Sequence, residues 1–499
     1  MSVLKTISGW LSGSSSQKTK RVQNSFEAGE INRLTNDWNP ASNSADVEID
    51  RDFKTVRGRA LDLDRNNSWV ARYKCLLNNN ILGANGIGLQ MKIKDASGQL
   101  DSLACAAVKT AWEDWKKREH CDIAGKACWR DKEGIVLDRN VIEGNALIRL
   151  HRGSQFGKYA FTTETIDFER LDFDYSTTLA SGNKVRFGVE MNSYGKVIAY
   201  HIFKTIPSDL FRGSLVRERV EAKDIIHAYL ADRPEQTIGM PWITPAMRSL
   251  RDLAQYRLAE LVAARQEACK GYAIKPSVPE GGFDGGGGEG DDALEEMSPG
   301  MAMMLKPGED LIQINPTHPN TAFGEFTKSA LREIASAWNV GYMDLANDPS
   351  DANYSSMRGS KLESIQEYMA IQSWLIETLD APVFSAWLEM ALAAGAIKMN
   401  GGSALPILKF DKFNAPDWKP RRWPWVDPQK DLQAAVMSVE KGFRSRQSII
   451  SEMGDSIENV FIEQEQDAKL AESRGLDFPL GTNPQPPAEP AAAKIDSAK

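Results

Sequence analysis

The hydrophobic positions of this chain change their period several times. From residue 49 to 77 they recur at helical spacing, with Val56, Ala60, Leu63 and Val70 on a rough stripe. Residues 81–93 read as a glycine-broken turn, GANGIG, running into a strand. Residues 101–118 predict an amphipathic helix carrying Trp112 and Trp115. Between about 135 and 230 the period shortens. NALIRLHR, KYAFTTETI, KVRFGVEM, KVIAYHIF and DIIHAYL are β-prone runs separated by Gly, Asn, Asp and Ser, which predicts an antiparallel β-rich region.

Helical spacing returns at 245–270, where Leu250, Leu253, Leu258, Leu261 and Val262 alternate with Arg and Glu. Such a helix spans roughly 40 Å at ~1.5 Å per residue. Residues 276–300 are glycine-rich and acidic and predict a flexible excursion. A β-like stretch, MAMMLKPGEDLIQI, follows, then a helix at 323–339. The polar segment GYMDLANDPSDANYSS reads as a loop leading into a long helix from Met357 to about Ala394. Residues 404–428 are rich in proline and tryptophan, and 429–474 look helical with a break near Gly454. Residues 1–45 read as a flexible arm, and the Pro/Ala-rich end, 476–499, as disordered. This order of elements is that of an α+β protein without internal repeats.

At 499 residues the chain is too long for one hydrophobic core, so two to four structural units are expected. No run approaches the roughly 20 apolar residues of a membrane span. The first residues make a poor signal peptide, because Ser, Gly and Trp interrupt the apolar patch, and a cytoplasmic site of synthesis is expected. The five cysteines are odd in number and show no CxxC spacing, which argues against a disulfide framework. The net charge of −8 argues against a module that grips phosphate. It does not argue against a channel wall along which DNA must slide. Composition alone does not choose between them.

Motifs for chemistry are mostly missing. There is no GxxxxGK[ST], HExxH or GxSxG, and GANGIG is not a dinucleotide fingerprint. His120, Cys121 and Cys128 form at most a partial metal site at the wrong spacing for a finger. Asp172 and Asp174 could bind Mg²⁺ in a nuclease, although such spacing is common by chance. These observations lead to the expectation of no enzymatic activity, no metal and no cofactor.

Four segments, in order, resemble the lambda-like phage portal family. They are RGRALDLDRNNSWVARYKCLLNNNILGANGIGLQ at 57–90, HAYLADRPEQTIGMPWITPAM at 227–247, LANDPSDANYSSMRGSKLE at 345–363 and RRWPWVDPQKDLQA at 421–434. The NYSSxR core of the third is the most specific. The resemblance runs from about 30 to 475, and the glycine-rich acidic stretch at 281–292 departs from it.

The resemblance implies a portal fold. It comprises a wing with an α/β region (46–244, continuing over 358–428), paired stem helices (245–270 and 321–339) flanking a small β-containing clip (271–320), a tunnel loop (340–357) and a mostly helical crown (429–475). It also implies a homo-oligomeric ring, twelve-fold in the virion, assembled in the host cytoplasm. Such a ring passes double-stranded DNA without sequence specificity and docks terminase, major capsid or scaffold protein and a head-tail adaptor. The candidate DNA-channel loop residues are Asp348, Ser350, Asp351, Asn353, Tyr354, Ser355, Ser356 and Arg358, with the two serines expected to cap the following helix. The oligomer stem candidates are Leu250, Leu253, Arg257, Leu261 and Arg265. Asp284, Glu289, Asp291 and Asp292 are candidate clip contacts to a partner. The alternatives are another virion structural or adaptor protein, or a metal-dependent nuclease.

Overall fold

The computed structural model describes residues 33, 42–210, 215–268, 272–276, 309–313, 322–350, 353–399, 402–423, 428–453 and 457–476. The predicted first helix is two. α1 (Ala45–Asn66) and α2 (Ser68–Leu77) meet at Asn67, whose extended backbone breaks the helix. The Asn67 side chain accepts from the backbone N–H groups of Trp69 and Val70, capping α2. A π-turn, Asn78–Leu82, follows. The GANGIG turn then leads into β1 (Gly88–Met91), as expected.

α3 (Ser102–Trp115) buries Trp112 and Trp115. These rings pack with Trp129, Phe384 and Trp387 into the centre of the main core, with Trp112 and Trp115 stacked at 4.8 Å. After the short α4 (Arg118–Cys121) comes α5 (Trp129–Glu143), which corrects the β-rich reading of residues 135–143. β structure begins later. β2 (Ala146–Arg152) pairs antiparallel with β3 (Phe161–Ile166). The strands β4 (Thr177–Thr178), β5 (Lys184–Arg186), β6 (Val189–Met191), β7 (Val197–Phe203) and β8 (Arg217–Glu221) form an antiparallel five-stranded meander over a second core. β9 (Ile225–Ala228) returns to pair with β2.

The GMPWITPAM segment owes Gly239 to a backbone contact, since a Cβ there would lie 2.1 Å from the Gly144 carbonyl oxygen. α5 ends on Gly144 in the left-handed region (φ 74°), where a Cβ would lie 2.3 Å from the Met240 carbonyl carbon. Asn145 locks the crossing, donating to the Gly239 carbonyl and accepting from the Gly239 N–H, both at 2.8 Å. The chain then enters α6 (Met247–Ala268). β10 (Tyr272–Pro276) and β11 (Glu309–Gln313) pair antiparallel. The glycine-rich acidic stretch between them lies outside the described residues, as do 1–32 and 477–499.

α7 (Phe323–Ala337), α8 (Tyr342–Ala346) and α9 (Tyr354–Leu375) follow. A second π-turn, Ile376–Asp380, joins α9 to α10 (Ala381–Ala393). After α11 (Phe410–Phe413), β12 (Pro416–Lys419) pairs with β1 and so returns the chain to its start. Three helices close it: α12 (Pro428–Glu440), α13 (Arg446–Glu452) and α14 (Ile457–Ser473). The predicted helical region is thus divided at 441–445, while the expected break near Gly454 lies outside the described residues. The architecture is mixed α+β, with small sheets and a helical C-terminal part. Among the described residues no helix is long and apolar enough to cross a membrane.

Two buried ionic features fix α5. Lys132 is fully buried, and its Nζ lies 2.7 Å from Asp122 Oδ1 while donating to the carbonyl and hydroxyl oxygens of Thr163 at 2.9 Å. All three ammonium protons are therefore used. The second feature is a pair of fully buried carboxyl groups, Glu133 and Asp380. Glu133 Oε1 accepts from the Ile87 N–H, and Asp380 Oδ1 accepts from Trp129 Nε1 at 2.9 Å. Burial, together with the charge of Asp380, pushes Glu133 well above the ordinary carboxyl range. Burial also lifts Asp380 to about 7, against the opposing hydrogen bond from Trp129. The buried pair therefore takes up a proton more readily than exposed carboxyl groups do, and Glu133 Oε2 and Asp380 Oδ2 have no hydrogen-bond partner among the described residues. Gly86 (φ 71°) is required beside them, since a Cβ there would stand 2.2 Å from Glu133 Oε2.

The native state holds a proton here that the unfolded chain releases, so stability falls as pH rises from the ordinary carboxyl range through about 7. Glu133→Gln keeps the side-chain volume and removes the titrating proton. Its expected effect is a flatter pH dependence, read as urea midpoints at about pH 5 and about pH 8, with the wild type losing more than the variant. Identical slopes would show that the pair does not share a proton.

Candidate channel-lining site

α6 changes character along its length. Leu250 and Leu253 are buried in the main core, whereas Leu258, Leu261 and Val262 are 61%, 47% and 42% exposed. Arg257 and Arg265 are exposed as well. α7 runs antiparallel beside α6. Ser249 donates to Glu333 at 3.0 Å near one end, and Tyr256 packs on Phe323 and Phe326 near the other. The amphipathic pattern of α7 sends Leu331, Ile334 and Ala335 into the core, and Trp338 beyond it stacks on Tyr73 at 4.5 Å. Arg248 and Asp252 are 3.9 Å apart and mostly exposed, a pair worth ~0–1 kcal/mol at most.

The loop expected at 340–357 is shorter. YMDLA forms α8, anchored by the buried Leu345 and by Arg72, whose guanidinium donates twice to the Asp344 carbonyl at 3.0 and 2.8 Å. Asn347 ends α8 in the left-handed region (φ 53°). α9 opens at Tyr354, with the Met357 N–H bonded to the Asn353 carbonyl. Ser355 and Ser356 therefore lie inside the first turn and do not cap a helix at Met357. Ser355 instead donates to Asn353 Oδ1 at 2.9 Å.

The described residues of the remaining loop, 347–350, are organised by Asp348. Its Oδ1 accepts from the Ser350 hydroxyl at 2.6 Å and the Ser350 N–H at 3.1 Å, while Tyr342 donates to its Oδ2 at 3.2 Å. The Ser350 bonds hold this carboxyl below the usual range. Burial, with Asp348 adding to it, raises the Tyr342 phenol. Arg332 lies over the Tyr342 ring, 5.3 Å from its centre. These groups border a cleft of about 710 Å³ between α7, α8 and α9, into which Ser360, Glu363 and Glu367 also face. The sequence reading missed Tyr342, Arg332 and the Arg72 clamp. The recurrence of Tyr342 and Leu345 at helical spacing was the available signal. Arg358 ties α9 to α12 through Asp431 at 2.5 Å.

Asp351 and the clip candidates Asp284, Glu289, Asp291 and Asp292 lie outside the described residues, as do the side chains of Tyr354 and Ser356. The metal alternatives do not assemble. Cys121 donates to the carbonyls of Lys116 and Ala127, Asp172 accepts from Arg217 at 2.7 Å, and Asp174 accepts from Lys54. Among the described residues no three His, Cys, Asp or Glu side chains converge on a metal position.

Residues 32–372, more than half of the chain, match the family described as phage portal protein, lambda family. The chain belongs to that family. It is 29% identical over 473 residues to a probable portal protein of Halomonas phage phiHAP-1, covering 93% of this chain and 90% of that one. It is also 21% identical over 508 residues to portal protein B of Escherichia phage lambda, covering 91% and 90% of the two chains. Among solved structures, a chain in the neck of an empty gene transfer agent particle matches with 15% identity and a TM-score of 0.46, over 79% of this chain and 93% of that chain. The family match spans three of the four segments that carried the resemblance, and the lambda and phiHAP-1 relatives extend it along most of the chain.

Proposed function

We propose that this portal-family chain closes into a homo-oligomeric ring, twelve copies in the virion, around a channel for packaging and ejecting double-stranded DNA. The ring carries no catalysis of its own. It docks terminase, the capsid or scaffold protein and a head-tail adaptor at its ends and rim. The observation that supports this best is the divided character of α6. A helix that buries Leu250 and Leu253 yet leaves Leu258, Leu261 and Val262 in solvent is half-finished as a monomer. Burying each such side chain against a neighbour contributes roughly 1.5–3 kcal/mol. Heterologous faces of this kind close into rings. Mass measurement and negative-stain imaging of the purified protein test the ring directly. A monomer at all salt and protein concentrations sinks the proposal.

In this ring the loop 347–353 lines the channel. Asp348 is half-buried and pinned by Ser350, so it presents a fixed negative charge that repels phosphate over roughly 8 Å at physiological salt. Deleting 347–352 is expected to leave rings intact, since α6 and α7 are untouched, and to reduce the length of DNA retained in heads. Asp348→Lys with Asp351→Lys is expected to slow DNA passage and make it more salt-sensitive, because each new phosphate contact releases counterions. Normal packaging by both variants at low and high salt would show that this loop does not face DNA.

A further inference from the structure

Away from the stem, a groove of about 1040 Å³ runs between α3 and the turn that follows α10. Its walls are small or apolar. Leu103 and Ala106 are exposed on α3, and Ala394, Gly395 and Ala396 face them. Its rim is cationic. Lys109 stands on α3, Lys117 between α3 and α4, Lys158 on the β2–β3 connection, and Lys398 beyond α10. Lys117 and Lys158 share one carboxylate, Asp114, at 2.8 Å each. Glu113 is already paired with Lys116. Among the described residues the ammonium groups of Lys109 and Lys398 have no partner. The rim therefore holds more positive charge than its own residues neutralise.

We propose that this groove receives an acidic amphipathic helix from a partner protein. Two observations select that occupant. The first is charge and shape together. The lysines favour an anionic ligand, while the small, apolar walls let a helix backbone approach and bury its apolar face. A DNA backbone would answer the lysines but has no apolar face for Leu103 and the alanines. The second is continuity. The adjoining stretch of α3 faces α14 across a cavity of about 270 Å³, where Ile462, Glu463 and Gln466 oppose Met91, Cys105 and Lys109. Lys109 borders both spaces. The same face of α3 thus already lies opposite a helix that sets an apolar side chain beside a carboxylate.

The probe is a fluorescent synthetic peptide of residues 457–473, titrated onto the full-length protein and followed by anisotropy. Saturable binding is expected. It should weaken at least about tenfold, near 1.4 kcal/mol, in Lys109→Glu/Lys398→Glu. Both lysines are exposed, so the fold should survive. Ala394→Trp should weaken binding similarly. Ala394 borders this groove and not the α14 cavity, so exchange of the peptide with the chain's own α14 would leave that variant unaffected. The proposal is overturned by no saturable binding, by equal binding of a scrambled peptide, or by unchanged affinity in Ala394→Trp. It is also overturned if a short DNA duplex binds these lysines and the peptide does not.

Discussion

Replacing Leu258 and Leu261 with Glu should give a folded chain that no longer closes into a ring. Both side chains are about half exposed or more in the single subunit, so the substitution removes little from its own core. At the proposed interface the loss is large. Two apolar contacts of roughly 1.5–3 kcal/mol each disappear. Two carboxylates would also have to lose water or repel the neighbour, and the defect recurs at every interface of a ring. The measurement is native mass or sedimentation at several protein concentrations, with near-ultraviolet circular dichroism confirming that the tryptophan core is unchanged. Leu250→Glu is the contrasting control. Leu250 is buried in the subunit's own core, so that variant should fail to fold. Normal rings from the double variant would remove this face of α6 from the interface.

Lys132→Met is expected to destabilise the subunit by about 3–5 kcal/mol, measured by urea denaturation. Methionine fills similar volume, so the cost is not chiefly a cavity. The ammonium group is what ties Asp122 and Thr163 to α5, and without it Asp122 Oδ1 keeps a charge with no counter-ion. Adding Asp122→Asn should recover part of the loss by removing that charge, a coupling a double-mutant cycle would read. A loss under about 1 kcal/mol in the single variant would mean that water reaches the Asp122 carboxylate.

The same residues explain why α5 was illegible in the sequence. A buried helix is found by an apolar stripe, but α5 buries Lys132, Glu133, Asn140 and Glu143 along with Val136, Leu137 and Val141. Polar groups buried among the apolar ones erase the 3.6-residue pattern. Long helices with ordinary stripes, α3, α6 and α7, were legible to within a few residues. The split at Asn67 was not, because the apolar spacing continues across it and only the side-chain cap breaks the helix. At the candidate site the polar segment was visible, but its inner architecture was not. The Tyr342–Asp348 bond and the Arg72 clamp on Asp344 join residues that no local pattern relates.

The π-turn between α9 and α10 sets the phase of everything after it. One residue more than an α-helical turn requires is held at Ile376–Asp380, and each residue is worth about 100° of rotation. α10 therefore faces a direction that an unbroken helix from Tyr354 would miss by about a quarter turn or slightly more. That rotation is what aims Phe384 and Trp387 at Trp112, and Asp380 at Trp129. Removing a single residue here would regularise the helix locally and turn its far half out of register with the core. In this stretch, chain length is a more stringent constraint than residue identity.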